Sequence, residues 1–506
     1  MLDLLPFGPG AWAFISLYIC SLLLIGWIGF NARREDTLED FYLAGRGFGF
    51  FVLVLTLYAT QYSGNSVFGV AGAAYRQGFG WLISVHYMLA IIVFYRAFAP
   101  KLQVLARRRS YVTPVDYLHD RFDSRALSLL ASIVMIVALN NYLLAQLMTM
   151  GRALQGLAGS YGDVAYDYGV VALALIMLIY GTLGGIRAIA WTDVIQGGIL
   201  MLGFVMLLFL LVDRFGPLSV ATEAVLASPD AAAIARPSGA MLREWVSYIL
   251  IIGMGGALYP HAIQRIYASR SRQALNRSLA VMAFLPFLTA LIAVIAGIYG
   301  LAYVAGLEGA ASDQVLARLL RLIQAESLLG YGLVVLIFSA ILAALMSTAD
   351  SAMLSISSMF TKDIYGVYIR RNAAESDLTR IGKRCSWIVV GALAALAIVL
   401  KDHASLIGLI DRKFDVLVQL APAFMVGIHW SGLKAQPVLL GLIAGLVVSL
   451  VLAFGSFDFV VAGKIFGVHP GLYGLAINGC IAIAGSLWMP DSNRMQRTVP
   501  SPESVL

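Results

Sequence analysis

The chain alternates between long apolar runs and short polar stretches that are often rich in arginine. A bilayer crossing needs about 20 predominantly apolar residues. Runs of that kind fall at about thirteen places: 11–30, 49–75, 81–100, 126–151, 166–186, 191–213, 244–264, 278–303, 331–360, 385–400, 405–430, 435–455 and 470–489. Lipid offers no partner to a backbone N–H or C=O, so such runs predict helices throughout. The pattern therefore predicts an all-α polytopic membrane protein. The opening MLDLLPFGPG lacks the positive stretch of a cleaved leader, so 11–30 reads as a retained span.

Two of these runs are flawed as helices. The second, LTLYATQYSGNSVFGVAGAAY, is polar from Thr60 to Ser66 and carries Gly64, Gly69 and Gly72. The seventh, YILIIGMGGALYPHAIQR, has Gly253, Gly255, Gly256 and Pro260 inside it. Glycine loosens a helix and proline removes one of its hydrogen bonds. Interrupted helices in matching positions of two halves are the sequence pointer to a transporter site. The two lie five spans apart, which predicts two inverted five-helix repeats, 49–213 and 244–430. An extra helix at 11–30 precedes them, and two helices within 435–489 and a cytoplasmic tail at 490–506 follow.

An unwound helix frees backbone carbonyls, and carbonyl and hydroxyl oxygens suit a hard cation such as Na⁺. The ninth run supplies the hydroxyls: Ser347, Ser351, Ser355 and Ser358 follow i, i+4, i+8, i+11 spacing and share one helical face. Such a face also serves as ordinary glue between membrane helices. Asp350, in the same run, is a carboxylate at mid-span and needs a cation, a proton or a partner. Asp193, at the start of the sixth run, is a candidate for the same site or an interfacial carboxylate at a helix start. The eleventh run holds Asp411, Arg412, Lys413, Asp415 and Gln419, where Arg412 or Lys413 is placed to hold a carboxylate. The alternative sets this cluster at the outer membrane surface, its acids neutralising its bases.

Composition narrows the classes. Hydrophobic residues make up 60% and charged residues 12% of the 506, against about 25% charged in soluble domains. This excludes a disordered chain, a nucleic-acid module and an ordinary cytosolic enzyme. The net charge of +7 raises the question of an anionic partner, and its distribution answers it. With the N-terminus outside, 23 of the 35 Lys and Arg fall on inner segments, 9 on outer segments and 3 within spans. That bias fits an N-terminus outside and a C-terminus in the cytoplasm, with membrane lipid as the counter-surface. Three cysteines and six histidines are scattered, which supports neither a disulfide framework nor a metal cluster. No nucleophile–base pair or phosphate loop suggests an enzyme.

The motifs resemble the sodium/solute symporter family, which includes proline, sialic-acid and sodium/glucose symporters. The most specific match is GTLGGIRAIAWTDVIQ (Gly181–Gln196), which is similar to GG-x-x-A-x-x-WTD-x-x-Q. DFYLAGR (Asp40–Arg46), YPHAIQR (Tyr259–Arg265) and LMSTADSAMLSISSMFTKDIY (Leu345–Tyr365) follow the family pattern in family order. The resemblance implies a LeuT-type inverted-repeat fold and Na⁺-coupled import of a small organic solute, with Na⁺ as coupling ion and no organic cofactor. It implies Na⁺ ligands at the backbone of Ala59, Tyr62 and Ala344 and the hydroxyls of Ser347 and Thr348. A second cation or proton site maps to Asp193, Asp350 and Ser351, with Ser347 shared. Here Asp350 stands where relatives often show serine.

Solute contacts are expected at Gln61, Asn65, Ser66, Gly256 and Tyr259, with Arg412 and Gln419 from the eleventh run. Proline symporters have an aspartate at the Gln61 position, a tryptophan at Asn65, and aromatic residues at Ile252 and Gly256. These differences argue against proline and leave a monocarboxylate or an amino acid as the expected solute. A monomer is the expected working unit. Two other readings keep the fold: H⁺ as coupling ion through Asp350 or Asp193, and a transporter-like sensor acting through a separate partner. The chain ends at VPSPESVL, without the kinase domain that some sensor relatives carry.

Overall fold

The computed structural model describes residues 37–157, 162–234, 238–324, 328–371, 373–402, 406–461 and 463–489, with Ser16, Cys20 and Leu24. The expected span at 11–30 and the tail at 490–506 therefore lie outside the described residues. The main helices are α1 (Phe50–Gln61), α2 (Gly64–Gln77), α3 (Ile83–Arg109), α4 (Arg125–Leu157) and α5 (Gly162–Phe215). They continue with α6 (Gly239–Ala257), α7 (Pro260–Ala268), α8 (Arg272–Met282), α9 (Ala290–Tyr303) and α10 (Leu328–Met359). Last come α11 (Glu375–Val399), α12 (Leu406–Leu417), α13 (Ala435–Phe454) and α14 (Pro470–Trp488). A two-stranded hairpin, β1 (Val460–Val461) with β2 (Lys464–Ile465), joins the last two helices.

Eight described stretches are long and apolar enough to cross a membrane, or nine when the bent pair α6–α7 counts as one. The remaining expected spans have definite fates. The 49–75 run is split into α1 and α2, and 405–430 into α12 followed by 3₁₀ and π turns through Val426. The 166–186 run is the first part of α5, whose hydrogen bonding continues unbroken to Phe215 over 54 residues. A straight helix of that length would measure about 80 Å, nearly twice a bilayer. Gly162–Phe215 thus holds two spans' worth of chain without an intervening loop.

Burial sorts the helices into a centre and a rim. In the stretch Val334–Ile369, built on α10, 94% of the apolar window is buried, against 22% for α11, 33% for α13 and 28% for α14. Helix α10 packs against α5, α4, α1 and α7, whereas α13 and α14 pack mainly on each other. The rim helices present Ile388, Val399, Phe454 and Leu487 outward, the surface expected of helices facing lipid.

Candidate functional site

The first break is set by Tyr62 and Ser63, which both leave helical backbone geometry. Ser63 restarts the chain as the N-cap of α2, its Oγ accepting from the Ser66 N–H at 3.3 Å. In an unbroken helix the Ala59 and Thr60 carbonyls would accept from residues 63 and 64. Here Thr60 O accepts instead from the Tyr142 hydroxyl of α4 at 3.2 Å. Ala59 O accepts from the Ser347 and Thr348 hydroxyls of α10, each at 3.1 Å, and Ser347 Oγ also reaches Ala344 O at 3.2 Å. Both hydroxyl residues are fully buried. Gly64 is required where α2 begins, because a Cβ there would overlap the Leu345 side chain and lie 3.1 Å from Thr149 Cγ2.

The second break lies at Leu258–Tyr259, where α6 and α7 meet at a 50° bend. Pro260 occupies the first turn of α7, where its missing N–H costs nothing. Its ring also cannot serve the carbonyl four residues back. That carbonyl, Gly256 O, accepts from the Tyr95 hydroxyl at 3.3 Å. A Cβ at Gly256 would come within 2.7 Å of Ile91, so this glycine seats α6 on α3.

Helix α7 lies against the hydroxyl face of α10. Gln264 accepts from Ser355 and donates to Ser358 Oγ at 2.7 Å. Arg265, 2% exposed, pairs with the fully buried Asp193 at 2.9 Å and donates to Ser351. Its Nε donates to Thr56 Oγ1 at 2.7 Å, and Thr56 in turn donates to Asp193. Asp350 is fully buried, and neither of its carboxyl oxygens has a hydrogen-bond partner among the described residues.

Beside the first break, a small cleft is lined from five directions. Gln61, Ser63 and Ser66 come from the break; Tyr87, Met88 and Ile91 from α3; Tyr142 from α4; Ile252 and Tyr259 from α6 and the break that ends it; and Ile410, Lys413 and Phe414 from α12. Lys413, 3% exposed, places Nζ 3.9 Å from the centroid of Tyr142 and 5.3 Å and 5.1 Å from those of Tyr259 and Phe414. Gln61 donates to the Tyr95 hydroxyl at 2.6 Å, while its Oε1 has no partner among the described residues.

Of the expected solute contacts, Gln61, Ser66 and Tyr259 line this cleft. The Asn65 side chain lies outside the described residues. Arg412 and Gln419 are placed elsewhere, each drawn off by tertiary partners. Arg412 points toward the hairpin, pairing with Asp415 at 3.0 Å and donating to Gly463 O at 3.2 Å. Gln419 ties α12 to the last two helices, donating to Ser449 Oγ at 3.0 Å and to Gly471 O at 2.8 Å. Asp411 likewise faces His469, at 3.5 Å, and Tyr248. The five-residue cluster thus divides: one base enters the cleft while the remaining side chains brace the C-terminal helices.

Two broken helices joined by a buried hydroxyl face, beside a small cleft, are the parts of a cation-coupled carrier. The sodium:solute symporter family matches this chain over residues 41–445. The chain belongs to that family. The symporter is 25% identical over 468 residues to the sodium/proline symporter of Salmonella typhimurium, covering 89% of this chain and 90% of that one. It is also 25% identical over 503 residues to a monocarboxylate transport permease protein of Rhizobium johnstonii, with 94% and 97% covered. Its fold matches a Na⁺-coupled sialic acid symporter in a substrate-bound outward-open state, with a TM-score of 0.78 at 20% identity, covering 97% and 100% of the two chains. The fold is thus of the LeuT type expected, and the protein is an integral membrane symporter that couples solute movement to Na⁺, not an enzyme.

The symporter's signature stretch Gly181–Gln196 lies wholly inside α5 and delivers Asp193 to the centre of the molecule. Sequence reasoning did not find the partnership of Arg265 with Asp193, which joins residues 72 apart in the chain. One signal was available: a buried carboxylate needs a counter-charge, and Arg265 is the basic residue of the broken seventh run. The aromatic walls, Tyr87 and Tyr142, carried no sequence signal that set them apart from core residues.

Proposed function

We propose that this symporter imports a small monocarboxylate or an amino acid, and that Lys413 holds the solute's carboxylate. The observation that carries this reading is Lys413, whose Nζ lies in the cleft over three aromatic rings without a hydrogen bond or ion pair to any described residue. Burying an ammonium costs several kcal/mol even after relaxation. Cation–π contacts return about 2 kcal/mol when desolvated, and a carboxylate offsets the rest. A lining of aromatic and apolar side chains with a few polar groups suits a small organic solute, and the sodium/proline symporter and monocarboxylate permease named above both carry acids.

Na⁺ is assigned to the first break, with the carbonyls of Ala59, Tyr62 and Ala344 and the hydroxyls of Ser347 and Thr348 as ligands. Both hydroxyls approach Ala59 O at 3.1 Å and Ser347 also reaches Ala344 O at 3.2 Å, which supports this reading, since it gathers four oxygens in one place. Na⁺ there would fix the break that also supplies Gln61, Ser63 and Ser66 to the cleft. Ion and solute would therefore raise each other's affinity by the same factor. The working unit is a monomer in a plasma membrane, N-terminus outside and C-terminus cytoplasmic, as the 23-to-9 distribution of basic residues supports.

A thermal-shift panel of short carboxylates, amino acids and sugars, each with and without Na⁺, tests the reading. A ligand at 100 times its Kd stabilises the folded state by about 2.7 kcal/mol. Carboxylates should raise Tm more in NaCl than in choline chloride, and sugars should not. A shift confined to sugars would overturn it.

A further inference from the structure

We propose that Arg265 is the resident cation of the pocket around Asp193, so that this position takes no transported Na⁺. The family resemblance assigns a second cation to Asp193, Asp350 and Ser351, and the residues present do not fit that ion. Arg265 already spends four of its five N–H donors around this position. Nη2 donates to Asp193 Oδ2 at 2.9 Å and to Ser351 Oγ, Nε to Thr56 Oγ1 at 2.7 Å, and Nη1 to His261 O at 3.1 Å.

Two of the oxygens that a second Na⁺ would draw on at this position are already engaged. Asp193 Oδ2 accepts from both Arg265 and Thr56. Ser351 Oγ accepts from Arg265 and donates to Ser347 O at 2.6 Å. What remain are Asp193 Oδ1 and the two oxygens of Asp350, which have no partner among the described residues. Three oxygens from two carboxylates fall short of the cage of about six that a hard cation takes. A guanidinium also stays charged at every physiological pH, so Arg265 neutralises Asp193 permanently and its own positive charge opposes a further cation beside it.

The tether has a structural consequence. Arg265 sits on α7, beyond the second break, while Thr56, Asp193 and Ser351 sit on α1, α5 and α10. The fixed charge therefore fastens the second broken helix to the first and to the helix that carries the Na⁺ hydroxyls. Asp350 lies outside this set of contacts, since none of its oxygens accepts from Arg265.

Equilibrium binding of ²²Na⁺ to the purified, detergent-solubilised chain tests the proposal without any solute, so its outcome is independent of the role given to Lys413. The paired change Asp193→Asn/Arg265→Gln removes both charges and leaves none unpaired. It should bind as many Na⁺ per chain as the unaltered protein, with half-saturation within twofold. Arg265→Gln alone exposes the carboxylate and should bind one Na⁺ more, which Asp193→Asn then removes. Loss of one Na⁺ in the paired variant, or a more than tenfold rise in half-saturation, would overturn the proposal. The paired variant decides the matter even where Arg265→Gln alone does not fold.

Discussion

The first break and the cleft beside it treat their polar groups in opposite ways. At the break, the carbonyls released from α1 are met by hydroxyls from α4 and α10, and the carboxylate of Asp193 by Arg265, with Asp350 the exception. In the cleft, Lys413 and Gln61 Oε1 are buried without such partners among the described residues. The contrast teaches where each ligand belongs. A site that collects oxygens in advance suits a small cation that must shed its water. A buried amine left without a polar partner suits a solute that brings a negative charge with it.

Four changes break or sharpen this contrast. The largest effect is expected from Lys413→Met, which removes the ammonium and keeps the volume. The KM for a monocarboxylate should rise about 100-fold, the cost of a charged hydrogen bond of nearly 3 kcal/mol, while ²²Na⁺ binding stays within twofold. Comparable losses in both assays would mean that the two regions are one site. Next, Ser347→Ala or Thr348→Ala should raise the Na⁺ concentration for half-maximal uptake about tenfold, one ligand's worth of about 1.4 kcal/mol. Unchanged Na⁺ dependence in both variants would remove the ion from the break.

Gly64→Ala should lower stability by about 1–3 kcal/mol through overpacking against Leu345, seen as a lower Tm in a detergent melt. A melt equal to the unaltered protein's would show the break to be loosely packed. The smallest effect on uptake is expected from Arg412→Gln. Solute KM should change by less than about twofold, with a stability loss of about 1 kcal/mol from the broken contact to Asp415. A KM shift as large as that of Lys413→Met would return Arg412 to the cleft.

Much of this arrangement was legible in the chain because its physics is local. Span length follows from bilayer thickness, the two breaks from Gly64 and Pro260, and the hydroxyl face of α10 from serine spacing. What was not legible depends on contacts distant in sequence. Arg412 and Lys413 are neighbours, and a 100° rotation per residue sends one to the hairpin and the other to the cleft. Nothing local says which. Gln419 looked like a cavity residue because it is polar in an apolar run, and it is claimed by Ser449 and Gly471 on helices some 30 and 52 residues away. Gly256 likewise gives its carbonyl to Tyr95.

The central claim is that Na⁺ drives uptake of an acid held by Lys413, and flux measures it most directly. Proteoliposomes holding the unaltered chain or Lys413→Met would be given labelled pyruvate, lactate, proline and glucose under an inward Na⁺ gradient, and again under a proton gradient without Na⁺. The account predicts Na⁺-driven uptake of at least one acid, none of glucose, and loss of that uptake in Lys413→Met with ²²Na⁺ binding retained. Equal acid uptake by both proteins, or uptake driven by protons alone, would contradict it.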